Sequence, residues 1–319
     1  MTDEIPNTPR DLPARRVRWG AYCLLVVLLP LLYLAAAVLI VPSEWAARHT
    51  RNTYQANMGY ADRLHGANCG IVIYGDSTAL VGIDPSVLEA KTGLTACNIA
   101  EFEGATTVFG TGLVDDFLAH NRRPRFLIFA YTADSLTPQS GWTGPSKVEA
   151  IVYAMRTRRN LRTVSLLLRH PQDTFGVLES GLRYLIRDSR KPPLTKAQRT
   201  LRDNKQGWFP LPQGIASRCT GPPENPGPFD PEWIASLRRK YGVDGTHVLV
   251  FVSPDPACEP TYATYVEKVR GVTDNQLEIF PLSEFSDNGR LHLTGDGVTH
   301  FSTEIAGYIN ATLHAEAGR

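Results

Sequence analysis

The chain has no charge excess of either sign: 33 Lys and Arg stand against 32 Asp and Glu, a formal net charge of +1. Outside the N-terminal tail there is no basic cluster. A nucleic-acid-binding surface needs such a footprint, so nucleic acid is excluded as a partner. Internal repeats and low-complexity tracts are also missing, which removes solenoid and fibrous architectures. Cysteine is sparse, with 5 in 319 residues. Long apolar runs are absent with one exception.

That exception is Tyr22 to Val41, almost entirely apolar and uncharged. About 20 such residues are enough to cross a bilayer. Arg10, Arg15, Arg16 and Arg18 precede it, which places the N-terminus in the cytoplasm and the rest of the chain outside. A cleaved signal peptide is the rival reading, with Ala35-Ala36-Ala37 as the cleavage site, but the apolar run continues past it. Pro30 is tolerated within a membrane helix. The chain then divides into a cytoplasmic tail (1–19), a single-pass anchor in the inner membrane (20–42), a juxtamembrane stalk (43–68) and one large domain (69–319). Cys23 falls in the anchor. Cys69, Cys97, Cys219 and Cys258 form an even set outside it, which points to two disulfides with three possible pairings.

Within the domain, apolar runs alternate with helical segments. Strands are expected at 71–74, 96–100, 125–131, 247–252 and 276–280, with helices from about Thr107 to His120 and from about Ser302 to Ala315. Continuously apolar strands alternating with helices predict a parallel sheet covered on both faces. Such sheets bind ligands at the carboxyl ends of their strands, where Ser77, Gly104 and Asp134 fall. Residues 146–188 read as helical with interleaved arginines, either a solvated face or a contact surface for a partner or anionic polymer. The Pro- and Gly-rich stretch 189–232 and its neighbour Trp233 carry aromatics, with Trp208 and Phe209 in the stretch itself. These would either stack on sugar rings or pack the insertion onto the core.

The first strand runs directly into Gly75-Asp76-Ser77, a turn that lifts one hydroxyl clear of the strand end. Near the other end of the chain, Gly295-Asp296-Gly297-Val298-Thr299-His300-Phe301 holds an acid and a base. In this reading Ser77 attacks an ester carbonyl, His300 takes its proton and returns it to the leaving alcohol, and Asp296 orients the imidazole. Activity would fall on acidification near or somewhat above the usual histidine value of about 6.5. Asp287 and His292 are the weaker alternative pair, because they flank a turn before a short extended piece. A metal set of His292, Asp296 and His300 would need one continuous helix, against which Gly295 and Gly297 count. No metal and no cofactor is expected.

Together these blocks resemble the SGNH hydrolases, or GDSL-type esterases. Gly75-Asp76-Ser77 resembles the family's nucleophile block. Asn98 to Gly104 resembles the second block, whose glycine donates an N–H to the oxyanion. Asp296 and His300 resemble the last block. Gly82-Ile83-Asp84-Pro85 is similar to a membrane-anchored subgroup that accompanies O-acylation of exported bacterial polymers. The resemblance covers roughly 69–135 and 246–315 and leaves the insertion 140–232 unexplained. It implies a doubly wound, five-stranded, flavodoxin-like parallel sheet. Its neighbouring first and second strands imply a Cys69–Cys97 disulfide, leaving Cys219 with Cys258. Two departures stand out. Where the family has Gly-x-Asn-Asp, this chain has Tyr131-Thr132-Ala133-Asp134, so either Thr132 or another group stands in as oxyanion donor beside the Ser77 and Gly104 amides, or the enzyme is slow towards water. Three residues, not two, separate Asp296 from His300. The implied function is an extracytoplasmic serine O-acyltransferase or esterase acting on O-acyl, chiefly acetyl, groups of a bacterial exopolysaccharide or surface glycan. The implied partner is a membrane-bound O-acyltransferase. The other class is a non-catalytic carbohydrate-binding or assembly subunit that retains the fold.

Overall fold

The computed structural model describes residues 19–40, 60–101, 106, 110–132, 135–136, 204–210, 214, 230–256, 269–276, 278–286 and 292–318. The apolar run forms helix α1, Trp19–Ile40, interrupted by no charge and containing Pro30. Its leucines and valines from Leu24 to Leu32 are exposed. Among the described residues no helix is long and apolar enough to cross a membrane.

Four parallel strands form the centre. They are β1 (Ile71–Gly75), β2 (Ala96–Asn98), β3 (Phe126–Tyr131) and β4 (His247–Val252), in the order β2-β1-β3-β4. The register sets Ile71 opposite both Ala96 and Phe126, and Phe126 opposite His247. The sheet is apolar on both faces because it is covered on both. Alternate residues of each strand point to opposite sides. Val72, Tyr74, Leu127, Phe129, Val250 and Val252 enter one core with α2 (Tyr60–Arg63), α5 (Gly112–His120) and α6 (Pro231–Tyr241). Ile71, Ile73, Phe126, Ile128 and Phe251 enter the other with α3 (Ser77–Gly82), α4 (Pro85–Thr92) and α7 (Gly295–Ala317). This two-faced burial is why the strands read as unbroken apolar runs rather than alternating ones.

The expected fifth strand does not extend this sheet among the described residues. Instead Asp255–Pro256 (β5) pairs with Ile279–Phe280 (β6) in a separate two-stranded parallel ladder. Alongside β4, side chains do the work of a strand. Val250 N–H donates to Asp274 Oδ2 at 2.6 Å, and Val252 N–H to Asn275 Oδ1 at 2.9 Å. Asn275 Nδ2 returns a bond to the Val252 carbonyl at 2.9 Å, and the Asp274 amide donates to the Val250 carbonyl at 2.8 Å. The outer-edge backbone groups of Val250 and Val252 are thereby satisfied without a fifth strand, which is what a buried ladder requires.

A disulfide joins Cys69, just before β1, to Cys97 of β2, with Cα atoms 5.8 Å apart. Cys219 and Cys258 lie outside the described residues, as do Gly104, Asp134, Asp287 and the segment 146–188. Gly82-Ile83-Asp84-Pro85 has a structural role. Asp84 caps α4, accepting from Ser86 N–H and Ser86 Oγ, and Pro85 occupies the first turn, where its missing N–H costs nothing. The last helix begins at Gly295, seven residues ahead of the expected Ser302, with Thr294 as its cap.

Candidate active site

Ser77 is placed by three constraints. First, β1 ends at Gly75, where a Cβ would lie 1.8 Å from the Ala130 carbonyl oxygen of β3, so no side chain fits. Second, Asp76 caps α3, its Oδ1 accepting from the Thr78 N–H at 2.8 Å and the Thr78 hydroxyl at 2.6 Å. Third, the rest of α3, Thr78 to Gly82, is buried. Ser77 alone on this helix is half-buried, at the carboxyl end of the sheet. The strand order reverses direction between β1 and β3, and the site sits at that crevice, the general location of ligand sites in open parallel sheets.

Under the serine lies a buried polar network joining three strand ends. Asp76 Oδ2 accepts from the Thr132 N–H at 2.9 Å and from its hydroxyl at 3.1 Å. Thr78 Oγ1 and Ser253 Oγ are 2.5 Å apart. Asp76, 2% exposed, therefore holds α3 to the ends of β3 and, through Thr78, β4. A buried carboxylate this well satisfied is stable only because each oxygen has donors. This removes Thr132 from the oxyanion hole. Both of its donors are spent on Asp76, so neither is free for a substrate oxygen. The Ser77 amide is different: as the first residue of a helix it has no intrahelical acceptor.

A further clamp on α3 comes from the insertion. Phe209 N–H donates to the Leu80 carbonyl at 3.2 Å, and Trp208 Nε1 donates to the Val81 carbonyl at 2.6 Å. The last carbonyls of a short helix are orphaned and need such donors. Gln206 accepts from the Asn98 amide at 2.8 Å. Gly207 adopts φ +93°, and a Cβ there would meet the Asn98 carbonyl at 1.9 Å. Asn98 itself reaches back to the Ala79 and Ile83 carbonyls at 2.9 and 3.1 Å. Phe209 is buried and Trp233 packs on Tyr131. These aromatics thus serve packing.

The group facing Ser77 is His292. Its Nε2 lies 3.0 Å from Ser77 Oγ. His292 is carried on a short antiparallel arm. Leu293 bridges Phe285, the Ser286 amide donates to the His292 carbonyl at 2.8 Å, and the Thr294 amide donates to the Glu284 carbonyl at 2.8 Å. Gly297 lets α7 approach this arm, since a Cβ there would meet Glu284 O at 2.6 Å. Burial holds the His292 imidazole below its usual pKa of 6.5, partly offset by the negative charge of Asp76. It is therefore neutral at neutral pH, and in the tautomer protonated at Nδ1 its Nε2 can accept a proton from Ser77.

The structure does not bring Asp296 and His300 to Ser77. Both are exposed on the first turns of α7. His300 Nδ1 lies 3.1 Å from Glu284 Oε2 and its Nε2 lies 3.3 Å from Glu304 Oε1. The ring stacks on Phe280 with centroids 4.0 Å apart. The reason is the earlier helix start. With Thr294 as cap, residues 296 and 300 lie within the helix, and the residue that reaches over the sheet end, His292, lies two residues ahead of that cap. Among the described residues no carboxylate bonds the second nitrogen of His292. No group of three or more metal-ligating side chains occurs among them.

No protein-family model matches the chain, and neither a curated protein nor a solved structure matches it.

Proposed function

We propose that the chain is an SGNH-type serine acyltransferase or esterase that adds or removes O-acyl groups on an exported glycan. The observation that carries this reading is the 3.0 Å contact between Ser77 Oγ and a neutral His292 at the carboxyl end of a parallel sheet. In the first half-reaction Ser77 Oγ attacks the ester carbonyl carbon while His292 Nε2 takes its proton. The Ser77 amide donates to the developing oxyanion. Collapse expels the alcohol, which recovers the proton from His292 and leaves the acyl group on Ser77. A hydroxyl of water or of a sugar, deprotonated by the same imidazole, then attacks the acyl carbon; collapse breaks the bond to Ser77 Oγ, which recovers its proton from His292 as the acid or acylated sugar leaves. Asp76 adds a negative charge near the imidazolium formed in both steps.

The uncharged apolar run Tyr22 to Val41 is read, on its sequence, as an uncleaved anchor in the cytoplasmic membrane, with the arginines before it inside and the domain outside. The Cys69–Cys97 disulfide supports an oxidising compartment. A polysaccharide substrate and a membrane-bound O-acyltransferase partner are part of the same proposal.

The second reading is a non-catalytic glycan-binding or assembly subunit that retains the fold. Labelling with a serine-reactive fluorophosphonate separates the two. The parent should label, and Ser77→Ala and His292→Ala should not. A parent that stays unlabelled, or a labelled Ser77→Ala variant, rejects the enzyme reading. Acetyl-ester turnover with and without an oligosaccharide acceptor then separates transfer from hydrolysis.

A further inference from the structure

His300 is held on three sides, yet it does not touch the nucleophile. Its Nδ1 faces Glu284, its Nε2 faces Glu304 one turn along α7, and its flat face lies on Phe280 at an interplanar angle of 7°. Glu284 is the last residue of the turn Leu282–Glu284 and the point from which the arm carrying His292 departs. Helix α7 grips Glu284 twice. Through the backbone, the Glu284 carbonyl accepts from Thr294 and lies against Gly297. Through the side chain, the carboxylate meets His300. One residue further on, Phe285 bridges Leu293, and the next amide, that of Ser286, holds the His292 carbonyl.

We propose that His300 is a positioning residue: by holding the Glu284 side chain it fixes the arm from which His292 reaches Ser77. This rests on the Ser77–His292 reading above. The backbone half of the grip survives loss of the imidazole, so removing His300 loosens the arm without unfolding it. The consequence falls on the Nε2–Oγ geometry, where a misplacement of about 1 Å can cost on the order of 100-fold in rate. Phe280 is fully buried and belongs to β6, so the imidazole stacks on a side chain that is itself held in the core.

The test uses the full chain in detergent. It follows fluorophosphonate labelling rates and p-nitrophenyl acetate turnover for the parent, His292→Ala, His300→Ala, His300→Asn, Glu284→Ala and the double variant His300→Ala/Glu284→Ala. His300→Ala should lower kcat and the labelling rate by roughly 5- to 100-fold with little change in KM, and should keep the acid limb of the pH profile. His300→Asn should recover most of the loss, because its amide donates to Glu284 from the place of Nδ1 and contains no basic nitrogen. The double variant should be no slower than the slower single variant, since both remove one contact. His300→Ala with parental rates overturns the proposal. So does a His300→Ala variant as inactive as His292→Ala and not rescued by asparagine, which would make His300 the base. An active His292→Ala variant instead rejects the Ser77–His292 site itself.

Discussion

Burial of His292 sets a sign for the pH dependence. The imidazole must be neutral to accept the Ser77 proton, and burial keeps its pKa below 6.5. Activity should therefore persist as pH falls through 6.5 and drop only as the lowered value is crossed. A measured acid limb at or above 6.5 would contradict a buried base. Thr132 supplies a second expectation. Thr132→Val keeps the amide bond to Asp76 and deletes the hydroxyl bond. The cost should be stability, about 1 kcal/mol in denaturant unfolding, with kcat changed little. A loss of kcat on the order of 100-fold at unchanged stability would return Thr132 to the oxyanion hole. The place of Ser77 at a strand end was legible in the sequence because a strand breaking into Gly-Asp-Ser is a local pattern. The histidine that faces it was not. Acid–base spacing pointed to Asp296 and His300, whereas the position of His292 depends on a bridge between Phe285 and Leu293 and on where α7 starts. Thr294, followed by Gly295 and the acidic Asp296, is a helix-start signal. Weighed before the spacing, it places Asp296 and His300 inside the helix and leaves His292, ahead of the cap, to face Ser77.

At the scale of elements, α3 is six residues long and too short to hold itself together. Its start is fixed by Asp76 and its end by Trp208 and Phe209 from the insertion. Trp208→Phe should leave the ring packing and remove the Nε1 bond to Val81, lowering stability by about 1 kcal/mol. Because the freed end is that of the serine helix, the fluorophosphonate labelling rate should fall as well. Unchanged labelling at reduced stability would show that the clamp is not felt at Ser77. The strands β1, β3 and β4 were readable because burial on both faces makes them continuously apolar. The fifth was not, because Asp274 and Asn275 are polar residues acting through side chains, and no periodicity reports that. The role of the insertion's aromatics was equally hidden, since Trp208 and Phe209 look the same in sequence whether they face sugar or core.

For the molecule as a whole, ionisation ties the C-terminal helix to pH. Burial and a hydrogen bond to Glu304 push the Glu278 carboxyl up from 4.5 to about 8. The folded state thus holds a proton that the unfolded state releases between those values, so its contribution to stability declines as pH rises through that window. Glu278→Gln should abolish this decline. The gap in Tm between variant and parent should widen from pH 4.5 to about 8 and stay constant above, and parallel curves would refute the shared proton. The sheet itself carries a different consequence. An open sheet ordinarily leaves two rims of unpaired amides and carbonyls that recruit strands from other molecules. Here one rim meets the Asp274 and Asn275 side chains, and the other meets Gln206 of the insertion at Asn98. Neither closure is a strand that could peel away and swap into a neighbour. The four-stranded sheet is thereby guarded against edge-to-edge aggregation by groups that cannot themselves propagate it.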